Sequence, residues 1–253
     1  MNIKAVVALC SVALIGTSCA SHYQLTNVNR TRLLIDNRYD VHPDAEALDF
    51  LKPYKEKVDS IMSPVVGSIA RDMAVYSPES ELSNLLSDIL VWGGRNYNEH
   101  PDFAVYNLGG IRASFSKGVV TYGNILEVAP FENKICFLTL SGEKVLELFS
   151  EFVRQGGQGV SHGVNVVASK DGKLISAKIH GKEVDPNGSY RIATIDYLAH
   201  GNDHLDAFKA KTDFVSPQDV SNNVRFIIMN YFKEKAAQGE AVDSKVEGRF
   251  IIK

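Results

Sequence analysis

Cysteine is scarce in this 253-residue chain: three residues, Cys10, Cys19 and Cys136. A scaffold stapled by several disulfides is therefore excluded. No run of basic residues occurs, and 27 Lys and Arg stand against 30 Asp and Glu, which argues against a nucleic-acid polymer as partner. Beyond residue 15 no apolar stretch is long enough to cross a bilayer. Internal repeats and low-complexity tracts are missing. So are Gly-Asp and His-x-His steps.

The first apolar run, residues 5–15, follows Lys4 and has the length of a secretory h-region. Gly16-Thr17-Ser18-Cys19 resembles the lipobox of bacterial lipoproteins, which implies a signal peptide over 1–18 and lipidation at Cys19. The alternative is an ordinary cleaved signal with an incidental cysteine. Processing would remove Lys4 and make the net charge of −3 one unit more negative. If Cys19 carries lipid, Cys136 has no intramolecular partner. Its setting in Ile135-Cys136-Phe137-Leu138 reads as a buried small hydrophobe.

Residues 19–42 read as a polar tether with an entry strand at 32–35, and 43–253 as one domain. Leu48, Leu51, Tyr54, Val58 and Ile61 recur at a helical period, with Pro53 expected to start, kink or break the helix. A second helix is expected from Ser77 as cap, Pro78 in the first turn, and Leu82, Leu85, Leu86 and Ile89 on one face. A third spans 142–154 and stops at Gly156-Gly157; a fourth covers 222–235. Strand-like runs fall at 104–106, 135–140, 164–167, 174–179, 190–195 and 249–252, with a hairpin turn at 170–173. Helices and strands do not alternate regularly. The expected fold is α+β, a single domain with a mixed β-sheet and flanking helices.

Three segments carry chemistry. Asn107-Leu108-Gly109-Gly110-Ile111-Arg112 offers a tight backbone turn beside a planar guanidinium. Pro130-Phe131-Glu132-Asn133 presents a ring in a loop, which could meet a base or pack on the core. Asp196 to Asp203 places Tyr197 at a strand end and a carboxylate after a Gly-containing turn.

Taken jointly and in this order, these segments resemble the C-terminal domain of the 5'-nucleotidase family, secreted enzymes that remove phosphate from nucleotides and nucleotide-sugars. The family pattern Asn-x-Gly-Gly-Ile-Arg matches 107–112. Its Thr-x-Gly and Pro-Phe-x-Asn steps match 121–123 and 130–133. Its Phe-x-x-x-Gly-Gly-Asp matches 197–203, with Tyr197 for Phe and Asn202 for the second Gly. The similarity runs from about residue 35 to the C-terminus.

The resemblance implies a nucleotide or nucleoside ligand, with Phe131 and Tyr197 as the two faces of a clamp on the base. Asn107 and Asn133 would line the base pocket beside Gly109 and Gly110, Arg112 would reach the ribose or phosphate, and Asp203 would accept ribose hydroxyls. Two departures stand out. Where the family places arginines before its second helix, this chain has Ala74-Val75-Tyr76-Ser77, with Arg71 out of register. The family's Ser-Gly after a glycine-rich loop is here Ser161-His162, where His162 is either a perturbation of the rim or an exposed loop residue.

In the full-length family a separate N-terminal domain binds the metals. Here Asp40-Val41-His42 reads as a turn before a helix, and His200, Asp203 and His204 form a weaker, single-ion candidate. The expectation is a chain with no catalytic residues, no metal and no cofactor of its own. Its divalent metals would sit in a separate metallophosphoesterase chain, with a lipid anchor holding this half, inactive alone, to the membrane on its periplasmic or surface-facing side. The alternative is a non-catalytic nucleoside-binding lipoprotein or a scaffold.

Overall fold

The computed structural model describes residues 23–253, so the expected signal segment and Cys19 lie outside the described residues. The chain divides into two units, 1–50 and 51–253. In the first, the described residues carry a short 3-10 turn, Asn37–Tyr39, capped by the Asp36 carboxylate, which accepts from the Arg38 N–H. Asp40 and Val41 continue as an exposed turn, as expected. The strand expected at 32–35 does not form. A strand exists only where a neighbour completes its ladder, and this exposed stretch has none.

Helix α1, Ala45–Met62, runs without a break through Pro53. The pyrrolidine therefore does not stop it, although the apolar side chains Val58 and Ile61 remain about half exposed, at 52% and 49%. Strand β1, Val65–Ile69, follows. Helix α2, Glu81–Gly93, starts later than its leucine pattern suggested. Its cap is Ser80, in a reciprocal arrangement with Ser83 that satisfies two backbone donors at once. Ser77 bonds the Gly156 carbonyl instead. Leu82, Leu85, Leu86, Ile89 and Leu90 are buried, as the periodicity requires.

Strand β2 is Phe103–Tyr106, β3 is Gly118–Thr121, and helix α3 is Tyr122–Val128. Thr121 and Asn124 cap α3 reciprocally, so the Thr-x-Gly-Asn step is a helix start. Strand β4, Ile135–Ser141, leads into α4, Gly142–Arg154, whose cap is Ser141. Val145, Leu148, Phe149 and Phe152 form its buried face. Next come β5, Gly159–Val160, β6, Val164–Ala168, β7, Leu174–Ile179, and β8, Lys182–Glu183. The expected hairpin turn joins β6 to β7, with Gly172 at φ +80. Strand β9, Ser189–Ile195, runs straight into the short helix α5, Asp196–Ala199. The last elements are β10, Thr212–Val215, α6, Val224–Ala237, and β11, Phe250–Ile252.

Three sheets form among the described residues. The largest has the order β10-β4-β9-β2-β5, with β2 and β9 parallel and the other pairs antiparallel. A second, β11-β6-β7-β8, pairs β11 and β6 in parallel, and β1 pairs β3. The mixed sheets with flanking helices bear out the α+β expectation. Cys136 is buried in β4, and burial pushes its thiol well above the usual range.

Candidate nucleoside-recognition site

The large sheet decides where the three chemistry-bearing segments meet. Strands β2 and β9 are parallel neighbours, Phe103 opposite Ile192 and Ala104 opposite Ala193, so both end at the same edge. Asn107 follows β2 there, and Tyr197 follows β9. Strand β4 runs the other way, with Ile135 opposite Ile195. Its beginning, and the loop 130–133 just before it, therefore reach that same edge. Two strand ends and one strand start, distant in sequence, become one rim.

Within the rim is a cavity of about 220 Å³ lined by Asn107, Gly109, Gly110, Phe131, Asn133, Tyr197 and Asp203. Seven of the eight candidates from sequence line it together. The eighth, Arg112, is exposed and not among the lining residues; its Nη1 donates to the carbonyl of Gly109, 3.3 Å away. The two rings are not core side chains. Phe131 is 48% exposed and Tyr197 40%.

Asp203 is the hub of the polar side. Its Oδ2 accepts from Asn107 Nδ2 at 2.6 Å, and its Oδ1 from the Tyr197 hydroxyl at 2.8 Å. That hydrogen bond to a carboxylate is the main reason the Tyr197 phenol is held above its ordinary pKa. Gln155 Nε2 donates to the Asp203 backbone carbonyl at 2.7 Å, Gln158 Nε2 donates to Gln155 Oε1 at 2.6 Å, and Gln158 Oε1 accepts the Leu108 N–H at 3.0 Å. These two glutamines tie the Asn107 turn to the Asp203 loop, a role the sequence offered no pattern for. Asp203 and His204 both have φ 56, a left-handed backbone that persists in non-glycine residues where surrounding contacts hold it.

The Asn107 amide is oriented unambiguously, because only its NH₂ can bond the Asp203 carboxylate. Its Oδ1 is consequently buried without a hydrogen-bond partner. A Cβ on Gly110 would sit 2.4 Å from that oxygen, so the second glycine of the motif is there for clearance. The N-terminus of α6 anchors the Phe131 loop. The Val224 N–H bonds the Asn133 carbonyl at 2.9 Å, and Arg225 Nη2 bonds the Pro130 carbonyl at 3.0 Å.

The matching family model is the 5'-nucleotidase C-terminal domain, over residues 63–210. The chain belongs to that family. Silent protein UshA(0) of Salmonella typhimurium is 26% identical over 238 residues, 88% of this chain and 42% of that protein. Protein UshA of Escherichia coli K12 is 36% identical over 119 residues, 46% of this chain and 22% of its own length. Among solved structures, a 5'-nucleotidase precursor from Thermus thermophilus superposes with a TM-score of 0.71 at 26% identity, covering 82% of this chain and 43% of that one. The chain thus spans less than half the length of these relatives.

The family member's other sequence-marked residues fall elsewhere. Arg71 is paired with Asp243 through both Nε and Nη2, at 2.5 and 2.6 Å. His162 is an exposed loop residue whose Nδ1 lies 2.9 Å from Glu247 Oε2, and it does not line the cavity. Among the described residues, no group of three or more His, Cys, Asp and Glu side chains could hold a metal ion, so His200, Asp203 and His204 do not form one. Nor is any described helix long and apolar enough to cross a membrane.

Proposed function

We propose that this chain is the nucleoside-recognition half of a 5'-nucleotidase-type phosphohydrolase. It stacks the base between Phe131 and Tyr197 and offers Asp203 to the ribose hydroxyls, while Arg112, exposed and not lining the cavity, serves the phosphate side. A separate metallophosphoesterase chain supplies the divalent metals and the attacking hydroxide, and a lipid on Cys19 holds this half at the membrane of an exported bacterial lipoprotein. The observation that carries the reading is the convergence of Phe131, Tyr197, Asn107 and Asp203 on one cavity. Stacking tolerates base identity, since every base has a π-face, so the site discriminates weakly among bases.

The test has two arms. The purified chain binds adenosine in a calorimeter, and with added Mn²⁺, Zn²⁺ or Mg²⁺ it does not hydrolyse AMP. A pull-down from the native membrane recovers a phosphoesterase, and adding that chain restores turnover. Binding without any recovered phosphoesterase would favour a capture lipoprotein, whereas turnover by the chain alone would refute the split.

A further inference from the structure

We propose that Tyr197 is a positioning residue whose hydroxyl, bonded to Asp203, joins the aromatic face for the base and the carboxylate for the sugar into one pre-assembled unit. This inference rests on the nucleoside reading above and adds to it a coupling between its two half-sites.

The argument begins with what does not hold the ring. Tyr197 is 40% exposed and sits on a four-residue helix, so core packing does not fix its orientation. What does hold it is the 2.8 Å bond from its hydroxyl to Asp203 Oδ1, supported by Asn202 Nδ2 on the Tyr197 carbonyl at 2.7 Å. Asp203 in turn is held by Asn107 on its other carboxylate oxygen and by Gln155 on its carbonyl. The turn between them passes through Gly201 at φ +81 and closes at Asp203. The ring and the carboxylate therefore move together.

Ligand capacity remains after these bonds. An ionised carboxylate has about four acceptor sites, and two of Asp203's are used, one on each oxygen. Each oxygen keeps one site, which suits the paired hydroxyls of a ribonucleoside. A phenylalanine at 197 presents the same stacking face without the tether. The hydroxyl thus adds nothing to stacking itself; it places the stacking face. The consequence is specific: a bare base, which has no sugar to reach Asp203, still depends on Asp203 through Tyr197.

Calorimetry of the full chain with adenine, adenosine and 2',3'-dideoxyadenosine reads this directly. Tyr197→Phe weakens all three by about five-fold, the effect of one ordinary net hydrogen bond. Asp203→Gly, which removes both acceptor oxygens and tolerates the left-handed backbone, weakens adenine by a similar factor. It adds no further loss for adenine in the Tyr197→Phe background, because the two changes break one linkage. Adenosine loses more than dideoxyadenosine in Asp203→Gly. A ¹³C-tyrosine titration gives a ligand-free readout: the Tyr197 ionisation moves down toward the ordinary value in Asp203→Gly.

Adenine binding untouched by both substitutions, while adenosine binding falls in Asp203→Gly, would overturn the coupling and leave the nucleoside reading intact. Tighter adenosine binding in Tyr197→Phe would show that the hydroxyl competes with the sugar, again sinking the coupling. If the wild-type chain binds none of the three probes, the nucleoside reading itself falls, and the inference with it.

Discussion

Phe131→Ala separates recognition from stability unusually well, because the ring is in the cavity wall but not in the core. Truncating a fully buried phenylalanine costs about 3–5 kcal/mol. Phe131 is 48% exposed, so about half of that, or about 2 kcal/mol, should be lost, a fall in Tm of roughly 4–8 °C for a domain of this size. The loop backbone keeps its anchors, since the bonds from Val224 and Arg225 go to the carbonyls of Asn133 and Pro130. Loss of one stacking face, by contrast, removes about 1–3 kcal/mol of binding, or about five- to 150-fold in Kd. Calorimetry with adenosine, paired with a thermal melt of the same preparation, measures both. An unchanged Kd would refute the clamp. So would a Tm drop of more than about 10 °C, since it would mean the ring is a packing element after all.

Gly110→Ala should unfold more easily in urea by about 1–3 kcal/mol and lose adenosine binding; its Cβ would meet Asn107 Oδ1 at 2.4 Å and Tyr106 Cε1 at 3.3 Å, displacing the amide from Asp203. Native protein should not react with a thiol reagent at pH 8, and should release one equivalent at Cys136 on denaturation once Cys10 and Cys19 are absent, because burial keeps that thiol protonated. Glu151, 3% exposed and bonded to the Ala207 N–H, has a carboxyl pKa raised chiefly by burial. The folded state then holds that proton to higher pH than the unfolded chain does. This contribution to stability falls as pH rises above the ordinary carboxylate range and levels off once the group is ionised. Glu151→Gln should accordingly be more stable relative to the wild type at pH 7 than at pH 4, and show a flatter pH–stability profile in denaturant titrations.

Local chemistry determined much of what was legible in the sequence. The faces of α2 and α4 follow from apolar spacing, which depends on residues three or four apart. The start of α2 was misplaced at Ser77 because several serines precede the leucines. Only the Ser80–Ser83 geometry shows which one satisfies the orphan donors. Strands β1, β3, β5, β8 and β10 were missed, as they run two to five residues, and all but β8 exist through partners remote in sequence. The absent strand at 32–35 is the converse: strand-forming residues with no ladder to join.

By itself, then, the sequence determined which side chains were available for recognition: two rings, a Gly-Gly turn, two asparagines and an aspartate, in three short runs. Tertiary structure alone decided that they face one cavity. The parallel β2–β9 pair and the antiparallel β4–β9 pair bring two strand ends and one strand start to a single edge. It also decided the details no motif encodes. Arg112 falls outside the cavity, Gln155 and Gln158 become braces, and the Tyr197 hydroxyl finds Asp203. The bonds of Gln155 to Asp203 and of Leu108 to Gln158, between residues 48 and 50 apart in the chain, follow from the pairing of strands, and that pairing is settled by burial across the whole sheet rather than by any local pattern.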